Sequence, residues 1–130
     1  MTSKAEIDRV QTAAAPAAIG PYSQAMRCGE LLFCSGQLPL DPQTGSLIDG
    51  DLAAMTTRCL ENLAAVCAGA GTSMQRALKL TVYLRELDRF KEVNDAYASF
   101  FGDAAPARST VEVSALPAGA RIEIDAIVAL

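Results

Sequence analysis

The chain has 130 residues and a mass of 13.6 kDa, the size of one domain and too short for two ordinary ones. Hydrophobic residues make up 51% and charged residues 20%, which weighs against intrinsic disorder even though many of the apolar positions are alanine. Histidine is absent, which excludes Ser-His-Asp and Cys-His machinery, histidine metal sites and imidazole acid–base chemistry within the chain.

Residues 1–130 show no linker, repeat or low-complexity block and read as a single domain. Tyr22 to Cys28 and Leu31 to Ser35 are short apolar runs separated by Gly29-Glu30, the pattern of a hairpin. Leu38 to Gly50 is crowded with Pro, Gly and Asp and reads as a loop. Asp51 is placed to cap a helix whose stripe is Leu52, Met55, Cys59, Leu63, Val66 and Cys67, with Gly69 to Gly71 as its stop. Leu78, Leu80, Val82 and Leu84 alternate with Lys79, Thr81 and Tyr83, which predicts a half-buried strand. Asp88 is placed to cap a second helix that turns Phe90, Val93, Tyr97 and Phe100 inward and ends at Gly102. Thr110 to Val113 and Arg121 to Val128 are the last strands, read as a closing hairpin around Pro117 and Gly119. On the final strand Ile122, Ile124, Ala126 and Val128 share one face, leaving Arg121, Glu123 and Asp125 on the other.

This order gives an α+β plan: a single mixed sheet with two helices covering one face. The uncovered face is expected to carry Tyr83, Thr81, Thr110 and Ile127. Such a face, in a domain too small to cover it, calls for a partner subunit.

A net charge of −4 with scattered Lys and Arg does not supply the basic face of a nucleic-acid reader. No apolar run approaches the roughly 20 residues of a membrane span. Met1 to Gly20 lacks the basic and apolar regions of a signal peptide, so the expected location is the cytoplasm. Cys28, Cys34, Cys59 and Cys67 have no CxxC spacing and read as buried free thiols, with a disulfide pair as the lesser alternative. No metal site is expected: Asp41, Asp49 and Asp51 lack calcium-loop spacing, with Pro42, Leu47 and Ile48 between them. Neither GxGxxG nor GxxxxGK[ST] occurs, and no cofactor is expected.

Several polar residues stand where chemistry is possible. Arg108 sits at a loop-to-strand junction, from which its planar fork can meet a carboxylate or phosphate, although spacing alone favours a surface salt bridge. Glu123 lies mid-strand among isoleucines, on a solvent face or in a polar site between subunits. Tyr22 in GPY and Ser35 in SGQ lie beside residues that permit tight backbone, as ordinary turns also do. Asn94 falls inside the second helix, where asparagine is a poor former.

AAIGPYSQA, LLFCSGQLPLDPQTG, TVYL, VNDAYASFF and PARSTVEVSALPAGARIEIDAI occur in this order from about Pro16 onward. Together they resemble the RidA (YjgF) family of reactive-intermediate deaminases, most specifically from Pro106 to Ile124. The resemblance implies a chorismate-mutase-like fold and a homotrimer whose sheets form a central barrel, with active sites in the clefts between subunits. It also implies hydrolysis of small enamine/imine acids, of the 2-aminoacrylate and 2-iminobutanoate type, to 2-keto acids and ammonia. Position by position, Arg108 matches the arginine that binds the substrate carboxylate and Glu123 the acidic residue of the last strand. Tyr22, Ser35 and Asn94 match the tyrosine, serine and asparagine of their segments. One departure is Thr110, where many members carry a cysteine two residues after the arginine, so a thiol nucleophile is missing there. Another is the stretch from Phe101 to Pro106, shorter than in many members. Physically, Arg108 suits the carboxylate, and Glu123 suits proton transfer to and from water. Ser35 and the Thr110 hydroxyl suit holding the water or iminium, and Tyr22 suits walling the site. The rival readings are a non-catalytic module binding a small carboxylate metabolite and a ribonuclease or translation-linked activity. Retention of both Arg108 and Glu123 weighs against the first, and acidity and missing histidine against the second.

Overall fold

A computed structural model describes residues 3–130. The strands are β1 (Ile7–Val10), β2 (Ala25–Cys28), β3 (Leu31–Gln37), β4 (Ala77–Leu84), β5 (Ala107–Glu112) and β6 (Ile122–Ala129), and the helices are α1 (Leu52–Gly69) and α2 (Phe90–Phe101). The six strands form one sheet in the order β1-β2-β3-β6-β4-β5. Only the β4–β5 pair is parallel, with antiparallel neighbours elsewhere, so the expected α+β architecture with a mixed sheet is found.

Helix α1 begins where the sequence places it, with the Asp51 carboxylate accepting a hydrogen bond from the Ala54 N–H at 2.9 Å. This satisfies one of the four unpaired donors of the first turn. Leu52, Cys59, Leu60, Leu63, Val66 and Cys67 are buried along its inner stripe. Beyond it, Gly71 adopts φ +82°, a left-handed conformation that turns the chain away. Helix α2 buries Val93, Tyr97 and Phe101. Against the helices lies the inner sheet face, where Leu32, Leu80, Val82, Leu84, Ile122, Ile124 and Val128 are completely buried.

Five details differ from the sequence reading. β1 is an additional edge strand paired with β2; its polar IDRV run gives no burial pattern to detect. β5 and β6 form no hairpin, because β5 runs parallel to β4 on the far side from β6. Asp88 is not the cap of α2: it lies in a short 3-10 turn, and Arg89 takes the cap position without a side-chain hydrogen bond. Leu78 is 48% exposed, since the β4–β6 register shifts between Ala77 and Lys79 and breaks the alternation there. Thr110 pairs with Val82 and therefore faces the helices, while its neighbour Val111 joins Tyr83 on the open face.

That open face exposes Phe33, Met26, Leu31 and Val111 beside Tyr83, Glu123, Asp125 and Ile127. All four cysteines are free, and Cys28 alone is not fully buried. Among the described residues no helix is long and apolar enough to cross a membrane.

Leu63 is fully buried at the centre of α1, so Leu63→Ala is expected to cost about 2–5 kcal/mol of stability. Urea unfolding monitored by circular dichroism measures this as a fall in midpoint with an unchanged slope.

Candidate active site

The pleat of the sheet distributes the candidate residues between two places. Arg108 is in register with Leu80 and so projects towards α2. Its guanidinium carbon lies 4.7 Å from the centre of the Tyr97 ring and 5.3 Å from that of Phe90, a cation–π bed that fixes the fork. Among the described residues Arg108 has no carboxylate partner within salt-bridge distance. Phe90, Asn94 and Tyr97 are spaced four and three apart on α2 and share one stripe. The Asn94 Oδ1, Tyr97 hydroxyl and Thr110 Oγ1 are buried with no hydrogen-bond partner among the described residues. Each such atom carries a desolvation cost of about 1–3 kcal/mol until a partner arrives. An open cleft of about 520 Å³, lined by Leu87, Phe90, Arg108 and Thr110, gives access to this corner.

Glu123 stands on the other side of the sheet. Its neighbours Ile122 and Ile124 are buried against the helices, which turns its own side chain to the open face opposite Tyr83. On the other flank, β3 carries an irregularity between Cys34 and Gln37, so Ser35 and Gly36 together oppose Asp125. Gly36 makes room for the carboxylate: a Cβ built there would lie 2.8 Å from Glu123 Cδ and 2.9 Å from Oε2. The half-buried Ser35 donates its hydroxyl hydrogen bond to the Ser23 carbonyl. Tyr22, one residue before Ser23, accepts a hydrogen bond at its hydroxyl from the Ile19 N–H at 3.2 Å and is otherwise exposed. A cavity of about 540 Å³ beside it is lined by Tyr22, Ser23, Gln24 and Thr12, among others.

Burial, and after it the negative charge of Asp125, raise the Glu123 pKa above the ordinary glutamate value. Burial raises the Tyr97 pKa against the opposing pull of Arg108. The hydrogen bond to Cys67, with burial, pushes the Cys34 thiol up, and burial does the same to Cys59; neither is a thiolate nucleophile at neutral pH.

The structure thus brings Arg108 together with Thr110 and the Asn94 stripe, and sets Glu123 against Gly36, with Ser35 next to it in the chain but bonded to Ser23. It does not bring the two groups together within one chain. Two neighbouring strand spacings, about 9.5 Å, and the thickness of the sheet lie between Arg108 on β5 and Glu123 on β6. Sequence reasoning missed the aromatic bed beneath Arg108, whose signal was the shared helical stripe of Phe90 and Tyr97. It noted Gly36 only as a residue permitting tight backbone beside Ser35, not as the space that the Glu123 carboxylate occupies.

The family model described as Endoribonuclease L-PSP matches residues 12–130. The chain belongs to this family, also called RidA or YjgF. A RutC family protein of Pyrococcus horikoshii is 48% identical, over 87% of this chain and 90% of its own. A Bos taurus protein named 2-iminobutanoate/2-iminopropanoate deaminase is 42% identical, over 91% of this chain and 86% of its own. The crystal structure of Escherichia coli TdcF with bound serine matches with a TM-score of 0.90 and 37% identity, covering 95% of this chain and 98% of that one.

The raised Glu123 pKa fixes the sign of a pH effect. A carboxyl whose folded pKa lies above its unfolded value stabilises the fold fully below the unfolded pKa, and that contribution is lost as pH rises through the folded one. Glu123→Gln removes this ionisation, so its thermal midpoint relative to the parent is expected to improve from pH 4 to pH 8. Melts at the two pH values read the difference directly. Gly36→Ala must displace the same carboxylate, and thermal melts at pH 7 are expected to show a lower midpoint than the parent, an overpacking cost of about 1–3 kcal/mol.

Proposed function

We propose that this protein is a hydrolytic deaminase of small imino acids, converting 2-aminoacrylate- or 2-iminobutanoate-type intermediates to 2-keto acids and ammonia. The observation that carries this reading is the Arg108 corner: a guanidinium fixed on Tyr97 and Phe90, without a carboxylate partner among the described residues, beside three buried polar atoms in need of hydrogen bonds. Such a corner is suited to a small carboxylate bearing further polar groups. The deaminase name of the bovine relative and the serine bound to TdcF support the same class of ligand.

In this reaction the substrate is an iminium carboxylate, R–C(=NH2⁺)–COO⁻. Arg108 donates two parallel charge-assisted hydrogen bonds to its carboxylate. Ionised Glu123 takes a proton from a water that attacks the imine carbon, giving a carbinolamine. Glu123 then returns the proton to the nitrogen; as the C–N bond breaks, Glu123 takes the hydroxyl proton, the carbonyl of the 2-keto acid forms, and the departing ammonia takes up that proton and leaves as ammonium. Ser35 and Thr110 offer hydroxyls to the water and the iminium, Asn94 its amide, and Tyr22 a wall. Thr110 supplies no thiol, so no covalent intermediate forms at that position. The substrate is already activated, and acid–base assistance of about 10²–10⁴-fold suffices.

Because Arg108 and Glu123 occupy opposite sheet faces, the complete site is assembled between copies of the chain, in a homotrimer whose open faces cover one another. The exposed Phe33, Met26, Leu31 and Val111 supply the apolar contact.

Arg108→Ala is expected to lower kcat/KM about 100-fold or more, since hydrogen bonds to charged groups contribute about 1.5–3 kcal/mol each. The rate is read by following keto acid release from imines generated in situ by a threonine dehydratase. Keto acid binding without turnover in the parent protein would instead make it a metabolite-binding module. Arg108→Ala and Glu123→Gln chains, each strongly impaired alone, are expected to recover activity when refolded together. Random mixing leaves about a quarter of shared sites with both residues, half for each. A mixture that stays inactive refutes the shared site.

A further inference from the structure

The open face of β6 carries a second carboxylate that the proposed reaction does not use. Asp125 follows Glu123 by two residues and shares its face, about 6.7 Å further along the strand. Tyr83 stands directly across β4 from Glu123, yet its hydroxyl reaches diagonally to donate to Asp125 Oδ2 at 3.0 Å. That hydrogen bond holds the Asp125 carboxylate in place on the open face. Among the described residues no charged side chain forms an ion pair with either carboxylate, and on the proposed reading Arg108 of a second copy faces Glu123 across the cleft. From β4 come Tyr83 and, beyond Thr81, Lys79 opposite Ile127. From β3 come only the neutral Ser35 and Gly36. Arg121 precedes Glu123 by two residues, but its guanidinium leans to Glu86 at 3.4 Å. From α1, through the sheet, the Cys59 thiol is held neutral by burial and by the Glu123 charge.

We propose that Asp125, anchored by Tyr83, is a positioning residue that holds a fixed negative charge beside Glu123 and thereby sets the pH range in which Glu123 exchanges its proton. This rests on the deaminase reading, in which Glu123 carries the proton. An ordinary glutamate is a weak base near neutrality, whereas a carboxylate beside another negative charge holds its proton more tightly. The pair then divides its roles: Asp125 is the anchored neighbour, and Glu123 moves the proton between water and the leaving nitrogen. The direction of the Glu123 shift agrees, with burial as the larger cause and Asp125 as the next.

The test is a carboxyl ¹³C NMR titration of Glu123 in the intact assembled protein, paired with the pH profile of kcat/KM, for the parent, D125N, D125E and E123Q. The expected result is that D125N lowers the Glu123 midpoint and the acid limb of the profile together, by about half a pH unit or more. D125E, which keeps the charge, is expected to leave both close to the parent. A folded D125N protein with an unmoved Glu123 midpoint overturns the proposal. An E123Q protein that keeps the parental acid limb overturns the proton-carrier reading instead, while the NMR midpoint still reports the Asp125 effect separately. Should Asn prove incompatible with folding, D125S removes the same charge and is read by the same two measurements.

Discussion

The alternation of side chains along β6 is the constraint on which the rest of the molecule depends. Ile122, Ile124, Ala126 and Val128 are buried beneath the helices, and a strand that buries this set must turn Glu123 and Asp125 the other way. A one-residue slip would expose the apolar set and drive both carboxylates into the core, at several kcal/mol of desolvation for each ion. Register, core and the position of the candidate proton carrier are therefore one decision. The same rule applied to β5 through its pairing with β4 sends Arg108 and Thr110 to the helix side. The separation of the two charged groups is thus a consequence of forming the core.

Two buried amides extend this order to the irregular segments. Gln24, 4% exposed, accepts from the Thr12 N–H at 2.7 Å and donates to the Pro16 carbonyl at 2.8 Å, tying the segment before β2 to the sheet edge. Tyr22 and Ser23 follow from that anchorage. Asn62, fully buried in α1, donates to the carbonyls of Leu38 and Leu40 at 3.2 and 3.0 Å and so pins the loop that leaves β3 just after Gly36. Both replace water as partners for backbone groups that belong to no strand, which makes them satisfied rather than costly.

The features legible in the sequence were those governed by local periodicity or by motif. Asp51 as a cap, the α1 stripe and the two faces of β6 follow from spacings of three, four and two, and the family followed from ordered segments spread over the chain. Features governed by pairing were not legible. Thr110 and Val111 alternate equally well in either sense, and only the parallel register with β4 decides which one meets the helices. Leu78 fits the β4 pattern until the shift at Ala77 removes it. Asp125 reads as one more polar residue on an outer face until Tyr83, 42 positions away in the chain, is seen to bond it. The candidate residues themselves were named from resemblance, but their division between two faces needed the sheet.

That division has a chemical logic in a chain without histidine. An arginine placed against a glutamate in the same protomer would close into an ion pair, spending the fork that a substrate carboxylate needs. It would also pull the glutamate pKa down, away from the neutral range where a proton carrier is useful. Opposite faces avoid both effects within the protomer. Arg108 is held by aromatic rings, which orient a guanidinium without neutralising it, and Glu123 has a carboxylate for its nearest charged companion on the strand. On the proposed reading, assembly brings the two charges to one cleft, where the substrate carboxylate engages the arginine and the glutamate remains free to move a proton. On that same reading, the pleat that builds the core also keeps the two halves of the chemistry apart until a second copy supplies the missing side.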